Sequence, residues 1–313
     1  MLEYSIRKML LVPLILIIIV TIVFFSMRFV SGGPAEVVLG DQASESAIET
    51  FNKKWGLNRP LYIQYISYMG NLLRGDLGRS YISGMEITPI IARALPYSIS
   101  LTICATILSL LIGIPVGLLS ALKPNSIIDS ISRFMVFIGL SMPDFYFGIL
   151  LIILFSLNFN LLPMVGGGQW SEPLSVLIRL IMPSLTLSLA SAATIMRITR
   201  SSVLDNIKQD YIRTAYSKGL TVKTVLIKHV LRNALIPILS VTGINMGLIL
   251  GNVIIIEMIF SRPGLGKLLI GSVMDRDFMM IQSTIVIFAI FISLINLTTD
   301  LAYAFTNPRV KLN

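Results

Sequence analysis

Six stretches of the chain stay apolar for roughly twenty residues, the length a helix needs to cross a bilayer. They run over about 9–29, 97–122, 134–156, 180–196, 234–256 and 278–299, and each predicts a transmembrane helix. The polar stretches between them are short, apart from 31–96. Within that segment, "ASESAIETFNKKWGLNRP" (43–60) predicts a short helix started by Ser44 or Ser46 and stopped near Gly56 and Pro60. "LYIQYISYMGNLLRGDLGRSY" (61–81) predicts an amphipathic helix ending in a Gly-Asp turn, its tyrosines suited to a membrane interface. Arg7 and Lys8 before the first run imitate a signal peptide. The uncharged stretch is long for a signal core and no small-residue cleavage site follows, so a retained first helix is expected.

The spanning segments carry packing marks. "GIPVG" (113–117) and "GINMGLILG" (243–251) repeat Gly at a spacing of four, which lets backbones approach closely in lipid. Pro115 and Pro143 each remove a backbone donor, so local bends are expected there. Asp144, in "SMPDFYFG" (141–148), is the clear ionisable residue near the middle of a span. Such groups line polar pathways or pair with a neighbouring helix, and both remain open for Asp144. Glu257 and Asp300 sit close to helix ends, where water is expected to reach them.

Composition agrees. The chain of 313 residues is 55% hydrophobic and only 13% charged, against roughly a quarter charged in a soluble domain, and its mean hydropathy is +0.83. The net charge of +9 would suggest nucleic acid in a soluble protein, but here the basic residues cluster at helix ends and report topology. With the N-terminus inside, the inner segments hold Arg7, Lys8, Lys123, Arg133, Arg309 and Lys311. The segment between the fourth and fifth spans adds Arg197, Arg200, Lys208, Arg213, Lys218, Lys223, Lys228 and Arg232. The short loops opposite hold Arg179, Arg262, Lys267 and Arg276, and 31–96 balances six basic against six acidic residues. Both termini are therefore expected to be cytoplasmic.

Missing chemistry narrows the choices. No G-x-x-x-x-G-K-[ST] phosphate loop occurs; "PGLGK" (263–267) has the wrong spacing and falls on the external side. His229 is the single histidine and Cys104 the single cysteine, which leaves no paired-His metal motif, cysteine cluster or internal disulfide. There is no G-x-S-x-G elbow. An enzyme is not expected, nor a cofactor or metal bound by this chain.

One basic segment needs an explanation. "DYIRTAYSKGL" (210–220) is too short to span a membrane and too polar to be buried in one. Tyr211, Ile212, Ala215, Tyr216 and Leu220 form one helical stripe, Arg213, Thr214, Ser217 and Lys218 lie opposite, and Gly219 stands where a helix would end. Such a helix either lies on anionic lipid or inserts into a partner's groove.

"RSSVLDNIKQDYIRTAYSKGLTVKTVLIKHVLRNALIPIL" (200–239) resembles the cytoplasmic coupling segment of ABC-transporter permeases, in the dipeptide, oligopeptide and nickel importer branch. Arg213-Thr214-Ala215 occupies the place of the family's Glu-Ala-Ala and Gly219 that of its glycine, with Pro237 at the longer spacing of the peptide branch. "GLNRPLYIQY" (56–65), "GDLGRSY" (75–81), "LLPMVGGG" (161–168), "FSRPGLGKLL" (260–269), "DRDFMMIQ" (275–282) and "NLTTDLAYAFTNPRV" (296–310) look, in order, like its first permease subunit. Asn307 departs from the family's more frequent Asp before Pro308-Arg309.

The resemblance implies an all-α, six-helix bundle like that of a type I ABC importer permease, multi-pass in the cytoplasmic membrane. Residues 1–30 would hold the first span and 31–96 an external segment. Residues 97–313 would form the core permease domain, with the coupling segment at 200–233. Its implied partners are a second permease, two ATPase subunits that hold ATP and Mg, an external substrate-binding protein and the bilayer, with no nucleic acid. Asp210, Tyr211, Ile212, Arg213, Thr214, Ala215, Tyr216, Lys218 and Gly219 would dock the ATPase, the apolar stripe entering its groove and Arg213 contributing little. Import of short peptides or a related solute by alternating access follows. An ion-gradient-driven secondary transporter is the alternative, and a membrane anchor or signalling subunit the third reading.

Overall fold

The computed structural model describes residues 2–29, 33–40 and 42–306. Arg309, Lys311 and the Asn307 variation lie outside the described residues, as do the side chains of Arg7, Lys8 and Asp300. The regular elements among the described residues are helices, beside one isolated bridge between Arg79 and Glu86. They are α1 (Leu2–Arg28), α2 (Gly33–Leu39), α3 (Glu45–Trp55), α4 (Leu61–Leu73), α5 (Ile87–Leu122), α6 (Ile127–Ser141) and α7 (Asp144–Leu151). After a π-helical stretch at Ile152–Asn158 come α8 (Pro173–Ile207), α9 (Asp210–Ser217) and α10 (Val222–Val225). A second π-helical stretch, Leu226–Leu231, leads into α11 (Arg232–Ile259), followed by α12 (Leu265–Met274) and α13 (Phe278–Thr306). Five helices are long and apolar enough to cross a membrane alone; counted as one span, the pair α6 and α7, bent by 107°, brings the number to six.

Two compact units divide the chain. The first comprises residues 6–98 and 263–293. Its α3 begins and ends as the residue types require: the Ser44 hydroxyl accepts from Ala47 N, and Gly56 closes the helix at φ +68°. Phe24 of α1 is buried against Tyr65 and Tyr68 of α4, with ring centroids 5.3 and 5.7 Å away, and Val286 of α13 joins the cluster. The Arg28 guanidinium lies 3.5 Å from the Phe24 ring centroid and bonds Gln64 at 2.9 Å, so its charge leaves the apolar span partnered. Asp277 ties the 77–81 loop to the start of α13. Its carboxylate accepts from the Ser80 hydroxyl, from Tyr81 N (3.2 Å) and from Met280 N (3.3 Å).

The second unit comprises residues 1–5, 99–262 and 294–313. The span expected at 134–156 breaks at Pro143. Met142 before it is extended (φ −87°, ψ 125°), the conformation a following proline favours, and the helix restarts at Asp144. At Pro115, by contrast, α5 continues without interruption. Contacts with α8 order the broken pair along that helix. Asp129 meets Arg200, Gly139 lies against Ala193 and Leu189, and Gly148 against Thr186. From Asp129 to Gly148 the contacts step back along α8 from Arg200 to Thr186, so over that stretch the pair follows α8 in the antiparallel sense.

Glu257 corrects an expectation. It is fully buried rather than within reach of water. The chain beyond α11 folds back over the helix end: Arg262 N donates to the Glu257 carbonyl at 2.8 Å, and the buried Arg262 guanidinium donates to Ser100 Oγ at 3.1 Å.

The glycines at 113 and 117 set the α5–α8 distance. A Cβ at Gly117 would fall 2.6 Å from the Met196 carbonyl oxygen, and one at Gly113 2.9 Å from that of Ala192. Backbone cannot rotate away as a side chain can, so any larger residue must push the helices apart. Gly117→Val is expected to destabilise by about 1–3 kcal/mol or more through overpacking, read as a lower Tm of the purified chain in detergent. Gly251→Ala, where nothing lies within 4 Å, should stay within about 0.5 kcal/mol. Equal Tm values for the two variants would contradict this packing.

Candidate functional site

The 210–220 segment forms a helix with a well-defined end. Asp210 places a negative charge in the first turn of α9, where the helix dipole favours it. At the other end Gly219 N donates to the Tyr216 carbonyl (2.9 Å) and Leu220 N to that of Ala215 (3.3 Å). These are the paired bonds of a Schellman ending. Gly219 supplies the left-handed residue it needs, at φ +77°. Thr221 then caps α10, its hydroxyl accepting from Thr224 N at 3.4 Å.

The apolar stripe is divided in a way its spacing did not disclose. Ile212 and Ala215 are buried in their own chain, in a core with Ala121, Ile195, Val203, Val225, Val230, Ala234 and Ile238. Tyr211, on one flank, is held by its hydroxyl, which donates to Asn206 of α8 (2.7 Å) and accepts from Asn233 of α11 (2.9 Å). Tyr216, on the other flank, is 43% exposed, and Leu220 and Val222 continue an exposed apolar edge. Arg213, Thr214, Ser217 and Lys218 are exposed. The centre of the stripe is thus not available to a partner. The surface α9 offers is the Tyr216 edge of that stripe together with the basic face. The physical reason is that α9 joins two long helices and first has to bury apolar surface against them.

A buried ion pair secures the same end of the unit. Asp129, inaccessible to solvent, receives Arg200 Nε at 2.7 Å and Nη2 at 3.0 Å, the Ser120 hydroxyl at 2.6 Å and Asn125 N at 3.0 Å. Arg133 adds a looser contact at 3.7 Å. One carboxylate therefore joins the end of α5, the following turn, α6 and the last third of α8. Sequence reasoning missed it. "SIID" (126–129) carries a local signal, since Ser126 caps α6 by accepting from Asp129 N (3.3 Å), but nothing local points to Arg200.

Asp144 stands in the first turn of α7, half-buried, and its Oδ2 accepts from Asn252 Nδ2 of α11 at 2.8 Å. The two residues share a cavity of about 210 Å³ with Pro143, Phe145, Ile255 and Ile256. In the other unit a cavity of about 610 Å³ is lined in part by Arg93, Tyr97, Lys267 and Asp275. Among the described residues no group of three or more His, Cys, Asp or Glu side chains could hold a metal.

Comparison with known proteins places this geometry. The family described as "binding-protein-dependent transport system inner membrane component" matches residues 113–312, and its N-terminal companion matches residues 1–102. The oligopeptide transport system permease protein AppB of Bacillus subtilis (strain 168) is 38% identical over 315 residues, covering 99% of this chain and 100% of AppB. The glutathione transport system permease protein GsiC of Escherichia coli (strain K12) is 38% identical over 312 residues, covering 99% of each chain. Among solved structures, the methionine ABC transporter MetNI in inward-facing form aligns with TM-score 0.56 and 18% identity over 70% of this chain and 96% of the matched one. An amino acid ABC transporter crystallised with histidines aligns with TM-score 0.52 and 19% identity over 71% and 95%. At such identities these two speak for the fold.

The Asp129 cluster yields a test. The carboxylate is covered by its own ligands rather than deep in a core, so its removal should fall between the ~0–1 kcal/mol of an exposed pair and the ~3–5 kcal/mol of a buried one. Asp129→Ala should lower the Tm of the purified chain, and Arg200→Ala in the same background should add little because the pair is already broken. Fully additive effects in that double-mutant cycle would show that the two side chains act separately.

Proposed function

The chain belongs to the family of binding-protein-dependent transport system inner membrane components, and from that premise we propose that it lines the import path of a transporter for short peptides. It is a multi-pass inner-membrane permease subunit of an ABC importer, the non-catalytic membrane component of that machine. Near-full-length similarity to permeases for oligopeptides and for glutathione supports a solute of peptide size. A second permease would complete the path, two ATPase subunits holding ATP and Mg would drive it, and an external binding protein would deliver the solute. The Lys and Arg asymmetry supports placing both termini and α9 on the ATPase side. Residues 31–96 would then lie outside, available to the binding protein or the second permease.

The observation that carries the coupling role is the fixation of α9. Ile212 and Ala215 share one core with residues of α5, α8 and α11, and Tyr211 bonds both flanking helices. A push on the exposed side of α9 therefore moves α8 and α11 instead of bending a loose loop. Asp210, Arg213, Thr214, Tyr216 and Lys218 form the contact surface of this reading, with Gly219 aiming the chain into α10. Closure of the ATPases would move the surface, and the long helices would open the path outward.

Substitutions on the two sides of α9 should separate folding from docking. Ile212→Asp puts an unpaired charge into the core, at several kcal/mol, and should lower the Tm of the chain by itself. Tyr216→Asp should leave that Tm unchanged yet weaken ATPase copurification about tenfold or more, the range of an aromatic anchor at an interface. Arg213→Ala should show a smaller loss of the same kind. Docking that is indifferent to both Tyr216→Asp and Arg213→Ala would sink the assignment of this face.

A further inference from the structure

We propose that Asp144 and Asn252 form a binding site for the ammonium group of the transported solute, on the path that the preceding reading assigns to this chain. The proposal starts from a carboxylate in an awkward place. Asp144 follows the break between α6 and α7, and Gly148, one turn further on, lies against Thr186, well inside the 35-residue α8. Among the described residues no cation lies within ion-pair distance of it, and its one hydrogen bond is that to Asn252. It is only half-buried, and Asn252 is exposed. An ionised group facing hydrocarbon at that depth carries a large penalty, so a charged Asp144 requires water or a countercharge on the open side of the pair.

The chemistry of the pair selects what it would hold. Asn252 donates from Nδ2 to Asp144 Oδ2, which leaves Asp144 Oδ1 and the Asn252 carbonyl oxygen as acceptors without partners among the described residues. Two acceptors and one negative charge suit a cation that only donates, and an ammonium brings three N–H donors. The α-amino group of a peptide, with an ordinary pKa of about 7.7–8.0, is largely such a cation at neutral pH. The cavity of about 210 Å³ has apolar walls at Phe145, Ile255 and Ile256, fitting a single small side chain beside the charge. A site with two acceptors, open on one side, holds weakly enough to release again, as a transport path requires. A carboxylate amid three or more metal ligands would read differently, but no such group surrounds it among the described residues.

The test uses the whole importer, both permeases and both ATPases, in proteoliposomes, with Cys104→Ala and all other cysteines removed. Ile255→Cys places a thiol on the cavity wall without touching the pair. Its reaction with ethyltrimethylammonium and ethylsulfonate methanethiosulfonates is measured with and without ATP, each rate normalised to a free thiol. The expected result is a preference for the cationic reagent of about tenfold or more, the effect of one sign of charge focused in a cleft. That preference should vanish with Asp144→Asn, and trialanine should slow the reaction while N-acetyl-trialanine should not. No reaction with either reagent in any nucleotide state would overturn the placement of Asp144 on the path, pointing to a pair with the second permease. Reaction without charge preference, or with a preference that survives Asp144→Asn, would leave the path reading standing and overturn the ammonium site. Equal protection by both peptides would overturn it as well.

Discussion

Helices in hydrocarbon gain nothing from hiding apolar surface from one another, because the lipid is as apolar as they are. Close contact must come instead from small residues and from polar groups that satisfy each other. The unit built on α8 follows that constraint. Its neighbours approach wherever a missing side chain allows it: Gly113 and Gly117 of α5 lie against the α8 backbone, and Gly139 of α6 lies against Ala193. Where no glycine occurs, a charge does the work. The Asp129 carboxylate holds Ser120, Asn125 and Arg200 at hydrogen-bond distance, so α5, α6 and α8 share one fixed end.

That fixed end lies beside α9, the segment proposed to couple the ATPases. A helix of eight residues is too short to be stable alone; α9 exists because its apolar centre is part of the core beneath it. The same burial joins Ile212 and Ala215 to Val203 and Ala234 in one core, as the proposed coupling requires.

Two stretches of irregular backbone interrupt the long helices of this unit. One π-helical stretch follows α7 and the other precedes α11, each offsetting the side-chain register by about one residue per turn. The first comes soon after the Pro143 break, which opens the α6–α7 crossing beside Asn252. A carboxylate there can meet both a neighbouring amide and whatever occupies the cavity. A straight helix in the same place would have left Asp144 within a continuous ladder, with no turn of backbone to step around.

Much of this protein was legible from its sequence because the relevant signals are short-range. Apolar runs of membrane length, the Ser44 and Gly56 caps of α3, the Gly219 ending of α9 and the break at Pro143 each depend on residues a few positions apart. The ordered motifs of a permease are likewise read along the chain, and the family match covers the same ground. What the tertiary structure decided concerns residues far apart in sequence. Asp129 finds Arg200 across 71 positions, Asp144 finds Asn252 across 108 and Arg262 finds Ser100 across 162. The inward face of α9 belongs to the same class. Periodicity says that a stripe exists, but a helix can bury that stripe against a partner or against its own chain, and only the positions of α8 and α11 settle which surface it meets.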